Sequence, residues 1–104
     1  MKLTIGTVCA TLILAVSTAN AWTFTYRNSA GTPSVASNGD NNKQCTGITH
    51  AAGQTFEWDR GFWSDCCISL YTNRACSGDP AGYSCSDWKQ AASVTLHSYK
   101  VTNC

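Results

Sequence analysis

The chain has 104 residues, 43% of them apolar and only 12% charged, with seven cysteines and a formal net charge of +1. Such a length admits one domain, and a charge fraction about half the usual quarter argues against a cytosolic enzyme, a coiled coil or a solvated linker. Cysteine at this density in so short a chain marks a disulfide scaffold of an oxidising compartment.

Met1 and Lys2 form a short positive start, followed by an uncharged, mostly apolar run from Leu3 to Val16. Small residues close the segment at Ala19-Asn20-Ala21. This pattern is a secretory signal peptide over 1–21, cleaved after Ala21, leaving a single domain over 22–104. The apolar run falls short of the ~20 residues that span a bilayer. No second such run follows, so no membrane span is expected. Cleavage removes Lys2 and Cys9, and the remaining six bases balance six acids. A neutral domain lacks the field that draws a chain to phosphate backbones, which disfavours nucleic acid, and no nucleic-acid partner is expected.

The domain then reads as short strands and turns. Trp22-Thr23-Phe24-Thr25-Tyr26-Arg27 alternates aromatic and polar residues, the pattern of a strand with one buried face. Residues 28–33 hold Gly31 and Pro33 and read as a turn. Val35 lies in a short second strand, and Asn38-Gly39-Asp40-Asn41-Asn42 is a polar turn. A third strand is predicted near Cys45 to His50, and a fourth over Thr55 to Trp58 after the turn at Gly53. Asp65 to Thr72 is the clearest core strand, with Cys66, Ile68 and Leu70 on one face and Cys67, Ser69 and Tyr71 on the other. Residues 73–82 form a loop rich in Gly and Pro. Ser86 to Ala92 is predicted as one helical turn capped by Ser86 or Asp87, and Ser93 to Val101 as the last strand. Short strands at roughly ten-residue intervals specify an all-β domain, a small antiparallel sandwich or barrel.

Cys45, Cys66, Cys67, Cys76, Cys85 and Cys104 remain after cleavage. Six cysteines give three disulfides with fifteen possible pairings. Neighbours on a strand point to opposite faces, so Cys66 and Cys67 take different partners. No C-x-x-C pair is present, which argues against a metal site. No cofactor is expected. The domain has ten Ile, Leu, Val and Phe residues besides four Trp and four Tyr from which to build a core, a thin supply at a size where cores are marginal.

The stretch Ile68 to Gly78, followed by Ser93-Val94-Thr95-Leu96, resembles the Greek-key motif of the βγ-crystallins. In that motif an aromatic packs over a hairpin, a glycine permits its sharp fold, and a distant serine ties it back. Tyr71, Gly78 and Ser93 match, whereas Cys76 replaces a second aromatic. The family's calcium clamp is missing, so calcium binding is not implied. The whole domain also resembles the small secreted cysteine-rich proteins of filamentous ascomycete fungi. Phe56-Glu57-Trp58-Asp59, Ala81-Gly82-Tyr83-Ser84-Cys85 and Leu96-His97-Ser98-Tyr99-Lys100-Val101 carry that likeness. It implies an effector-like or antifungal role, with crystallin-like killer toxins as a related precedent, and no catalytic residues.

Two constellations compete for function. Trp58 to Trp63 is the densest aromatic and charged stretch. Asp59, Arg60 and an exposed Trp63 would offer directional hydrogen bonds beside a flat apolar face. In the plainer reading Trp58 and Phe62 complete the core and Asp59 pairs with Arg60. His50, Glu57, Arg60 and His97 supply the base, acid and cation of a small ribonuclease, although both His are expected at solvent-facing strand positions. Binding is favoured over catalysis. The expectation is a secreted, monomeric, effector-like fungal protein that binds an extracellular protein or glycan of a host or competitor. A killer-toxin-like antifungal protein and a small ribonuclease are the alternatives. The oxidised domain should weigh about 6 Da less than its reduced form, one hydrogen pair per bridge. Intact mass spectrometry checks this, and free thiols in the unreduced protein would contradict it.

Overall fold

The computed structural model describes residues 21–27, 33–61 and 65–104; the signal peptide expected over 1–21 lies outside them except for Ala21. Eight strands and no helix make up the described residues. β1 (Trp22–Arg27) pairs antiparallel with β2 (Ser34–Gly39) and with β4 (Thr55–Asp59), and β7 (Trp88–Ala91) adds to β4. The second sheet runs β3 (Lys43–His50), β8 (Leu96–Thr102), β5 (Cys67–Tyr71), β6 (Gly82–Ser84). Each half of the chain thus gives three strands to one sheet and its third strand, β3 or β7, to the other. The order within each half is that of a Greek key. Of the antiparallel sandwich or barrel expected from the sequence, the sandwich is the fold observed.

The alternation read in β1 sets the core. Trp22 and Phe24 are buried, and Tyr26 packs against them from the same face. Phe56 and Trp58 of β4 join them opposite Ile48, Ile68, Leu70, Leu96, Tyr99 and Val101 of the second sheet. Phe24 is the centre of this packing, with ring centroids 5.3 Å from Tyr26, 6.3 Å from Phe56 and 4.8 Å from Tyr99. Trp58 therefore belongs to the core, in contact with Trp22 at 5.6 Å.

The three disulfides all belong to the second sheet. Cys67–Cys85 joins β5 to the chain just past β6, and Cys66–Cys104 joins the residue before β5 to the chain beyond β8. Cys45–Cys76 ties β3 to the loop between β5 and β6. Cys66 and Cys67 do take different partners. No strand of the first sheet contains a cysteine. One sheet is held by bridges of roughly 2–4 kcal/mol each, the other by aromatic packing.

Three expectations are corrected. Residues 88–91 are strand β7, not a helical turn, because Trp88 and Gln90 lie opposite Trp58 and Phe56 of β4. Trp88 seats its ring edge-on against Phe56 at 4.8 Å, and this tertiary contact overrides weak local helix preference. The predicted 73–82 loop runs into a strand that the sequence did not mark, β6. Finally, Ser93 is exposed and does not tie back the hairpin. That role falls to Ser98, buried on β8, whose hydroxyl donates to the carbonyl of Asn73. The Asn73 side chain in turn accepts from the backbone N–H of Ala75 and Ser77 at 3.1 Å each. Gly78 has φ of +74°, in the left-handed region that glycine adopts without steric cost. The folded hairpin and the neighbouring strands leave all five residues of β5 buried, on both faces.

Gly82 shows how closely the two edge strands β6 and β7 approach. A Cβ there would lie 2.5 Å from Cη2 of Trp88. Gly82→Ala should push the indole off Phe56 and cost about 1–3 kcal/mol. The checks are a lower urea midpoint at unchanged slope and an altered tryptophan emission; an unchanged midpoint would show that the ring moves aside freely.

Candidate functional site

Strand phase decides what the first sheet shows to solvent. With Trp22, Phe24, Phe56 and Trp58 turned inward, Thr23, Thr25 and Arg27 of β1 and Thr55, Glu57 and Asp59 of β4 face out. The register places Ser34 beside Arg27, Ala36 beside Thr25 and Asn38 beside Thr23 on β2. On the other side Lys89 lies across from Glu57 and Ala91 across from Thr55. This face carries no aromatic ring. It is a grid of hydroxyls, amides and charges.

An open cleft of about 380 Å³ occupies one end of the grid, lined by Thr25, Arg27, Ser34, Gln54, Glu57 and Lys89 among others. A second hollow of about 210 Å³ continues past Glu57 and Lys89 to Asp59 and Asp87. Arg27 is held in place by neutral partners: its Nε donates to Ser34 Oγ at 3.3 Å and its Nη1 to Gln54 Oε1 at 3.5 Å. Glu57 and Lys89 face each other, yet neither is tied by a side-chain hydrogen bond or ion pair among the described residues. The cleft therefore presents a positioned guanidinium and an uncommitted ammonium and carboxylate.

His50 fixes this end of the sheet from beneath. It lies in phase with Ile48 and is fully buried, not solvent-facing as expected. Its Nδ1 accepts from the backbone N–H of Arg27 at 3.0 Å, and its Nε2 donates to the carbonyl of Gln54 at 2.8 Å. The backbone partners assign the tautomer, since an N–H needs the lone pair and a carbonyl needs the proton. One imidazole thus joins the two residues whose side chains meet above it.

The other sequence-derived residues are dispersed. Glu57 is exposed on the outer face of the first sheet, and Asp59 accepts from the N–H of Gly61 at 3.0 Å. Arg60 donates its backbone N–H to Asp87 at 3.1 Å and its Nη1 to the Cys85 carbonyl at 3.3 Å, linking β4 to the approach of β7. His97 is half-buried on β8 of the second sheet, its Nδ1 enclosed without a hydrogen bond among the described residues. Trp63 and Phe62 lie outside the described residues. Tyr71 is buried at the end of β5 with the Lys100 ammonium 5.6 Å above its ring. Sequence reasoning missed Arg27, Gln54 and Lys89 as partners in one cleft. The outward phase of β1 was the available signal; the pairing of β4 with β1 and β7 was not.

Among the described residues no group of three His, Cys, Asp or Glu side chains converges in a way that could hold a metal ion, and no helix is long and apolar enough to cross a membrane. The chain matches no family model, no curated protein and no solved structure.

The floor of the cleft sheet is tied to the second sheet through Tyr99, which donates its hydroxyl to Ser37 Oγ of β2 at 2.9 Å. Burial pushes the Tyr99 phenol above its ordinary value of 10.0; the bond to Ser37 opposes that shift and the nearby Tyr26 adds to it. The unfolded chain therefore releases this proton first as pH rises, and stability falls with increasing alkalinity. The contribution should be intact below pH 10.0 and lost as pH climbs through the raised value. Urea midpoints measured across this range check it, and Tyr99→Phe should flatten the decline. An equal decline in that variant would place its origin elsewhere.

Proposed function

We propose that this chain is a secreted recognition domain of effector-like type, monomeric, which binds a protein or glycan on the surface of a host or competitor cell. The observation that carries the reading is the open polar cleft over β1, β4 and β7, with Arg27 set in place by Ser34 and Gln54. Three disulfides in so small a domain are consistent with an extracellular setting. They also give the cleft a stiff support, and recognition gains from groups whose positions are fixed before the ligand arrives. The balanced charge and the fungal resemblance of the sequence support the same role.

Catalysis of the ribonuclease kind has less support. His50 spends both ring nitrogens on backbone groups in the core, while Glu57 and His97 belong to different sheets. A general base must reach its proton within hydrogen-bond distance. The killer-toxin-like reading draws on the Greek-key order and differs from the first in its target cell.

Fluorescently labelled oxidised protein should bind one class of cell surface, host tissue or fungal wall, in a saturable manner. Arg27→Ala with Lys89→Ala should weaken that binding roughly 10–100-fold, the loss expected when charged hydrogen bonds are removed. Undiminished binding by a folded double variant would reject the cleft. Growth inhibition of fungi in plain medium would move the assignment to the antifungal role.

A further inference from the structure

A sandwich of two open sheets has four edge strands, and an edge invites further strands unless something blocks it. Three of the four are guarded here. β3 breaks register twice against β8 and is bridged by Cys45–Cys76. β6 is three residues long. β7 has four residues and carries the exposed Lys89. β2 has none of these devices. Its six residues, Ser34-Val35-Ala36-Ser37-Asn38-Gly39, include no charge and no proline and pair with β1 in unbroken register.

The free side of β2 is open to solvent. Four of its residues are exposed and two half-buried. Among the described residues, no backbone hydrogen bond outside the sheet ladders involves it. The bonds that do reach it, from Arg27 and Tyr99, end on the hydroxyls of Ser34 and Ser37. Among the described residues, nothing engages the outer row of amides and carbonyls.

We propose that β2 receives an extended segment of a partner protein as a fifth strand of the first sheet, an acidic residue of that segment lying beside Ser34 to meet Arg27. The inference rests on the recognition reading above and names its mode. Strand addition draws affinity from backbone hydrogen bonds and selectivity from alternate side chains. On the inward side the incoming strand meets Val35, one of three large apolar residues left exposed in the described chain, which calls for a β-branched apolar residue. On the outward side it meets Ser34, Ala36 and Asn38, beyond which lies the Arg27 guanidinium with its neutral partners. Adjacent strands lie about 4.8 Å apart, so a Glu side chain next to Ser34 is within reach of it. A second copy of this chain fits less well, because β2 has no carboxylate to offer Arg27. A glycan lacks the alternating donors and acceptors that this edge presents.

The probe is a synthetic eight-residue peptide alternating Val and Thr with one Thr replaced by Glu, titrated into the isotope-labelled oxidised protein. Amide shifts should concentrate on residues 34–39, and their hydrogen exchange should slow. N-methylation of alternate peptide residues should weaken binding at least roughly ten-fold, as loss of a ladder of hydrogen bonds requires. A Glu→Gln peptide should bind less well than the Glu peptide to the native protein but equally to Arg27→Ala. Equal binding of the N-methylated peptide, shifts centred away from β2, or no binding at millimolar peptide would each overturn strand addition. Self-association of the free protein abolished by Ala36→Lys would overturn it in favour of a second copy. If the peptide fails while Arg27→Ala still weakens binding to cell surfaces, only the mode is lost; failure of both would reject the recognition reading as well.

Discussion

Two consecutive cysteines at the entry to β5, Cys66 just before it and Cys67 its first residue, face opposite ways, as successive side chains of extended chain do. Cys66 turns into the sandwich and bonds Cys104 beyond β8, while Cys67 bonds Cys85 beside β6. β5 is thereby anchored to both of its neighbours at one point. The third bridge then brings β3 and the folded hairpin over the same sheet. Since β3 comes from the first half of the chain and β7 from the second, fixing one sheet also fixes the route by which the chain enters and leaves the other.

This arrangement separates stability from display. The first sheet needs no bridges because Trp22, Phe24, Phe56 and Trp58 pack its inner face against the stapled sheet. Its outer face has no packing duty at all. Polar residues can accumulate there, and His50 and Tyr99 hold the sheet from within by hydrogen bonds to Arg27, Gln54 and Ser37. Buried polar groups of this kind are tolerable because each has a partner. They set position where apolar contacts alone would allow sliding.

Much of this was legible in the sequence. The alternation of β1, the opposite phases of Cys66 and Cys67 and the all-β build follow from periodicity and cysteine placement. What escaped depends on contacts distant along the chain. Trp88-Lys89-Gln90-Ala91 is too short to declare itself a strand without β4 to pair with. Ser98 and Ser93 are equally plausible ties on composition, and only the position of Asn73 above β8 separates them. His50 reads as a surface residue until β3 places it in phase with Ile48. The cleft itself joins residues from four strands and a turn, and its membership is a property of register, which no local pattern records.

The exchange of third strands also shapes how such a chain comes into being. Among the described residues β3 has its ladder partner in β8, which lies far downstream, and the free edge of β4, already paired with β1, waits for β7. A nascent N-terminal half therefore holds the three-stranded sheet β2-β1-β4 with an unfilled edge, and an orphan strand rich in backbone groups seeking a mate. Folding dominated by such non-local pairings is slow, in the millisecond-to-second range. Neither Greek key constitutes a folding unit that could be finished and set aside, so the chain passes through an open, sticky intermediate until the second half arrives.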